Sequence, residues 1–167
     1  NLTATCGRCH VGARNAFERS HHFTMLKEGN REVPTCVTCH GEVAAYLLSP
    51  RQLEGQCNSC HGPGKSAPRP AFASNARAML EGVRDARAQL KEASAMIRRV
   101  QDRERRAALE AEALVAASPL VEATDAGHAF VYDNLQERLA LGRKRLADLF
   151  ARIVGRLSSP PRPIVFR

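Results

Sequence analysis

The pattern of apolar and polar positions changes character near residue 70. Beyond it, over about 73–117, apolar residues recur at heptad spacing: Ala76, Met79, Val83, Ala86, Leu90, Ala93, Ile97, Val100, Ala107, Ala111 and Leu114, with Glu104 the break in the seam. Such a repeat predicts a helix with one buried stripe. At about 1.5 Å per residue it would span roughly 65 Å. Ser118-Pro119 predicts its end, and Thr124-Asp125-Ala126-Gly127 predicts a connection. A second helix is expected over about 128–157, with Tyr132, Leu135, Leu139, Gly142, Leu146, Leu149 and Ile153 on its seam. The small Ala and Gly residues suit close packing, so the two segments read as an antiparallel helical hairpin.

The first 70 residues carry few apolar positions for their length and could not bury much core alone. Segment 11–28 predicts a helix ended by Gly29-Asn30, and a short helix is expected from Cys36 to about Leu48, stopping at Ser49-Pro50. His61 to Pro70 is rich in Gly, Pro and Ser and reads as a linker. The tail over 158–167 holds Pro160, Pro161 and Pro163 and is expected to be extended, ending in the apolar Ile164-Val165-Phe166, which could dock on a partner. No strand pattern stands out.

Three C-x-x-C-H motifs supply the chemistry this apolar-poor region needs: Cys6–His10, Cys36–His40 and Cys57–His61. They use all 6 cysteines. The motif is the attachment signature of c-type haem: two thiols join the haem vinyls as thioethers, and the following His reaches the iron. Zinc held by four thiolates would leave one Cys pair over and gives no reason for a His after each second Cys. A disulfide scaffold explains the histidines no better. The expectation is three covalently attached haem c groups on Cys6/Cys9, Cys36/Cys39 and Cys57/Cys60, with His10, His40 and His61 as iron ligands. The fold class expected is mainly α: a haem-packed N-terminal region with few regular elements, then the long antiparallel hairpin. Residues 1–70 form the trihaem-binding region, 71–157 the hairpin supplying a distal ligand and 158–167 the tail, all in one integrated domain.

Each low-spin haem needs a sixth ligand. Of the 6 histidines, three lie in the motifs and His21, His22 and His128 remain, which allows complete bis-histidine ligation. His21 and His22 point about 100° apart on a helix and so cannot serve the same iron. His128 shares a helical face with Tyr132 and Leu135 and sits at the expected start of the second helix, reaching back from the hairpin. Met25 is a rival ligand, whereas Met79 lies on the seam and Met96 flanks it.

The chain's +8 charge would suggest an anionic partner. Six haem propionates would bring it to about +2 with ferrous iron and about +5 with ferric iron. With no Trp, 2 Tyr and no basic stripe interleaved with aromatics, nucleic acid is not the expected partner. No run of apolar residues is long enough to span a bilayer. Haem attachment takes place outside the bacterial cytoplasm, so a periplasmic or extracellular location is expected, with a leader removed before Asn1.

Three short motifs carry a resemblance. Phe17-Glu18-Arg19-Ser20-His21-His22 is similar to an aromatic-x-x-Ser-x-His pattern, Cys39-His40-Gly41 continues the second haem motif, and Gly127-His128-Ala129-Phe130-Val131-Tyr132 is similar to Gly-x-His-Asn-x-x-Tyr opening a C-terminal helix. Together they resemble the multihaem group of nitrification tetrahaem cytochromes, pentahaem nitrite reductases and octahaem hydroxylamine oxidoreductases. The resemblance implies His22 as a distal ligand. Where that group has a local His, this chain has Val43, so His21 is expected to substitute; Ala129 replaces Asn. No Lys-for-His variant of the nitrite reductases is present.

The expected function is electron transfer through bis-histidine haems, as a carrier or as a subunit of a larger redox assembly, and not enzymatic. Redox proteins, multihaem or membrane-bound, are the expected partners, docking through the tail or hairpin. The alternative is a small reductase of a nitrogen or sulfur oxyanion with one open haem, where Arg14, Arg19 or Arg31 would bind the anion.

Overall fold

A computed structural model describes residues 2–41, 48–69 and 71–155. The elements are α1 (Leu2–Cys6), α2 (Val11–Phe17), α3 (His21–Lys27), α4 (Cys36–His40), α5 (Pro50–His61), α6 (Phe72–Ile97), α7 (Arg103–His128) and α8 (Tyr132–Gly155). Among the described residues there is no strand. The mainly α class holds, with short elements first and long helices packed together after them.

The N-terminal helices are cut short by local chemistry. The helix expected over 11–28 is two, because Ser20 takes extended backbone and its hydroxyl accepts the Phe23 N–H at 3.1 Å, opening α3 afresh. The helix expected from Cys36 to about Leu48 ends at His40, where Gly41 turns to φ 70°. The rest of that segment, 42–47, lies outside the described residues. Ser49-Pro50, expected as a stop, is instead a start. Ser49 accepts the Gln52 N–H, Gln52 Oε1 accepts the Ser49 N–H at 2.9 Å, and Pro50 occupies the first turn, where its missing N–H costs nothing. The third haem motif therefore sits at the C-terminal end of a helix.

The long helix expected over 73–117 is folded in two. The chain turns at 98–102, and Asp102 accepts the Arg105 N–H at 2.7 Å to cap α7. The seam holds in α6, where Val83, Ala86, Ala93 and Ile97 are buried and Met79, Leu90 and Met96 pack against them. After the turn the phase is new: Leu109, Ala116, Leu120 and Ala123 are buried, while the expected Leu114 is 74% exposed. In α8 the expected seam from Leu135 to Ile153 is buried throughout.

Pro119 does not end α7; it lies inside it. A proline there leaves the Val115 carbonyl without its helical donor. Arg145 of α8 donates to that carbonyl instead, at 2.9 Å. Beside it, a Cβ on Gly142 would stand 2.5 Å from Leu120 Cδ2, so the glycine permits α7 and α8 to approach closely. α7 runs on to His128, which ends that helix rather than opening the next.

The corner into α8 is a Schellman turn. The Val131 N–H bonds to Ala126 O at 3.0 Å and the Phe130 N–H to Gly127 O at 3.1 Å. Phe130 occupies its left-handed position, at φ 58°. α5 and α6 are tied by Arg77, which bridges Glu54 at 3.1 Å and Glu81 at 2.9 Å. The antiparallel course of α6 and α7 returns His128 to the end of the bundle where the haem motifs lie.

Candidate functional site

Four of the motif cysteines form a chain of neighbours. Cys6 lies beside Cys36, and Cys39 beside Cys57, so the first motif adjoins the second and the second the third. All six thiols are free. Burial above all, then the neighbouring Cys57 and Cys36, push the Cys39 thiol up to about 11. Burial, followed by the adjacent Cys6, also raises Cys36. Among the described residues, no three Cys, His, Asp or Glu side chains gather as a zinc site would require.

Cys9 is exposed in the turn that follows α1, where its N–H bonds to Cys6 O at 3.3 Å. Cys60 is half-buried on the last turn of α5, and its Sγ accepts the Ser59 hydroxyl at 3.8 Å.

The histidines meet in two pairs across the fold. The rings of His40 and His128 have centroids 6.1 Å apart and lie parallel within 2°. Those of His22 and His61 are 6.0 Å apart and tilted by 57°. Each pair joins a motif histidine to one of the three spare ones. Among the described residues, His10 and His21 are exposed and make no ring contact.

Hydrogen bonds prepare two of these rings. His61 Nδ1 donates to Ala67 O at 2.8 Å, and His128 Nδ1 donates to Thr124 O at 2.9 Å. A carbonyl can only accept, so in the neutral ring Nε2 carries the lone pair free to bind a metal. His22 Nδ1 is buried with no hydrogen-bond partner. Its ring is braced by carbon: Phe130 stands edge-on at 4.4 Å, and Phe130 in turn meets Phe17 at 6.4 Å.

Electrostatics favours the neutral, ligating form. Burial, then the charges of His61, His21 and Arg69, hold His22 below the usual histidine range. Burial, then His128 and His10, do the same for His40. Beside the His22–His61 pair, a cleft of about 840 Å³ is lined by Arg69, Phe72, Asn75, Phe130 and Tyr132. Its apolar walls suit a macrocycle and its Arg69 a carboxylate.

The residues fit the group that the motifs imply. Two metal–nitrogen bonds of about 2.0 Å, each with roughly 1.1 Å from nitrogen to ring centre, place two imidazole centroids about 6.2 Å apart. Both observed pairs have that spacing. When bound, c-type haem supplies a one-electron iron centre whose potential its axial ligands and surroundings set.

Residues 1–62 match cytochrome c7 and related cytochrome c. The match supports a multihaem c-type cytochrome with an electron-transfer role, carrying covalent haem c, in the N-terminal part of this chain. The long helices lie beyond it. The narrower resemblance to the nitrification and hydroxylamine-oxidising group finds no support of its own. No curated protein and no solved structure matches the chain. Among the described residues no helix is long and apolar enough to cross a membrane.

Phe130 and the carbonyls of Ala67 and Thr124 were not legible as site residues. The signal for Phe130 was present: a bulky aromatic directly after a helix end, where a glycine is the usual residue.

Proposed function

We propose that this chain is an electron-transfer cytochrome c holding three covalent haems, each with two histidine ligands. His61 and His22 serve the haem on Cys57/Cys60, and His40 and His128 the haem on Cys36/Cys39. His10 and His21 are left for the haem on Cys6/Cys9. With its irons closed on both faces the protein exchanges electrons and binds no substrate at the metal. It works outside the cytoplasm as a carrier or as a subunit of a larger redox assembly, with redox proteins as partners.

The observation that carries this reading is the spacing of the two ring pairs, each uniting a motif histidine with a remote one. A haem count by pyridine haemochrome, with optical and EPR spectra of the oxidised protein, tests it. Three haems, all low-spin and unmoved by nitrite or, after reduction, by carbon monoxide, are expected. A haem count below three, or a high-spin signal, would overturn it.

A second reading draws on His21, whose exposed ring has no partner ring among the described residues. With His21 unbound, the first haem would be open and could reduce a nitrogen or sulfur oxyanion. Of the arginines nearby, Arg14 is paired with Glu18 at 3.3 Å. Arg19 and Arg31 are exposed. A ligand-sensitive high-spin haem in the parent protein, unchanged in His21→Ala, would select this reading.

A further inference from the structure

The left-handed position of a Schellman turn favours glycine, because a Cβ there crowds the backbone. In the α7–α8 corner it is held by Phe130, at φ 58°. A bulky residue in that conformation is an outlier that stands only where something else over-determines it. The compensating contact is visible. The left-handed backbone delivers the phenyl ring edge-on to His22, with centroids 4.4 Å apart. Phe17, itself buried, supports Phe130 from 6.4 Å and packs edge-on against Phe23 at 5.6 Å.

Unlike His61 and His128, His22 has no orienting hydrogen bond among the described residues. His61 and His128 each have Nδ1 pinned to a backbone carbonyl, whereas His22 Nδ1 is buried with no partner. An imidazole without that bond is free to turn about its bond to a metal unless something packs on it. The phenyl ring packs on the His22 imidazole, whose plane stands at 57° to that of His61.

We propose that Phe130 is a positioning residue for His22: its strained backbone places an aromatic edge that orients the imidazole in place of a hydrogen bond. This rests on the reading of His22 as an axial ligand. The same corner carries His128 two residues earlier, so one turn between bundle helices governs ligands at two haems.

The test compares oxidised holoproteins by EPR and redox titration. Phe130→Gly is suited to the backbone and is expected to fold with an unchanged haem count and an equal or higher melting temperature. One low-spin signal should nevertheless shift or broaden and one potential move, while Phe130→Tyr restores the parent spectrum. A purely structural role for Phe130 predicts no change in either readout, and unchanged spectra in Phe130→Gly would overturn the proposal. His22→Ala separates the two levels. If it produces a high-spin haem, the ligand reading stands and Phe130→Gly decides the proposal alone. If every haem stays low-spin, both fall.

Discussion

The two parts of this molecule are stabilised by different means. In the bundle of α6, α7 and α8, side chains from Val83 to Ile153 form one continuous buried cluster. Ahead of it, among the described residues, the buried apolar ones are Ala16, Phe17 and Val33, together with the polar Thr3 and Ser20. The bundle holds the hydrophobic area that a small domain needs; the described N-terminal residues bury less and bring cysteines and histidines together instead. A cofactor bound covalently to such a segment becomes its core, and binding free energy becomes folding free energy. The bundle therefore serves as the fixed frame, and through His128 and Phe130 it reaches into the part that the haems must organise.

Haem removal should break the comparison most sharply. In a haem-free protein made by changing all six cysteines to alanine, amides over 2–69 should exchange with solvent at nearly unfolded rates. The α6–α8 amides should stay protected. Loss of protection in both parts together would show one cooperative unit and contradict the division.

Core truncation comes next. Leu146, 1% exposed, is central to the bundle, and Leu146→Ala should cost about 2–5 kcal/mol in denaturant unfolding. Val33→Ala, in the haem-binding part, should cost roughly 0.5–1.5 kcal/mol by the smaller volume removed. Similar costs at both sites would mean that the N-terminal part has a conventional core after all.

Hydrogen bonds that mend local breaks have smaller effects. Ser20→Ala removes the cap of α3 and should lower stability by about 1 kcal/mol. Arg145→Ala leaves the Val115 carbonyl above Pro119 to solvent and should cost on the order of 1 kcal/mol in the bundle. If the haem spectra respond to Ser20→Ala and not to Arg145→Ala, the frame and the haem region are separable.

The smallest effect is that of pH. Burial and neighbouring charge lower the His22 and His40 values, so these rings bind fewer protons folded than unfolded. Their contribution to stability is complete above the unfolded value of about 6.5 and is lost as pH falls through the lower folded values. In the holoprotein a proton must also displace iron from these rings, which lowers its affinity further, so low-spin optical spectra should stay constant from pH 8 to about 6.5, and any change to high spin should begin only below it. A transition at or above that pH would contradict the sign. The buried bundle residues are all apolar, so its helical signal should not follow the same titration.

Much of this was readable from short-range pattern. The α8 seam was legible residue by residue because one uninterrupted helix keeps its phase. The α6 seam was legible to Ile97 and failed after it, since a turn without Gly or Pro reset the phase. Glu104, the polar break in the expected seam, was its only mark. Pro119 misled for a tertiary reason: a donor from another helix satisfies the carbonyl it frees. Ser49-Pro50 is locally ambiguous, since the same pair ends one helix or begins another.

The sequence by itself determined the three C-x-x-C-H spacings, the motif histidines beside them and the helical class. Each depends on neighbours a few residues apart, held by covalent geometry or helical period. Only the tertiary structure decided that His128 faces His40 and that His22 faces His61 with Phe130 at its edge. Those meetings depend on where the α6–α7 turn sends the chain back and on how a strained corner aims its side chains, and neither is encoded in any local spacing.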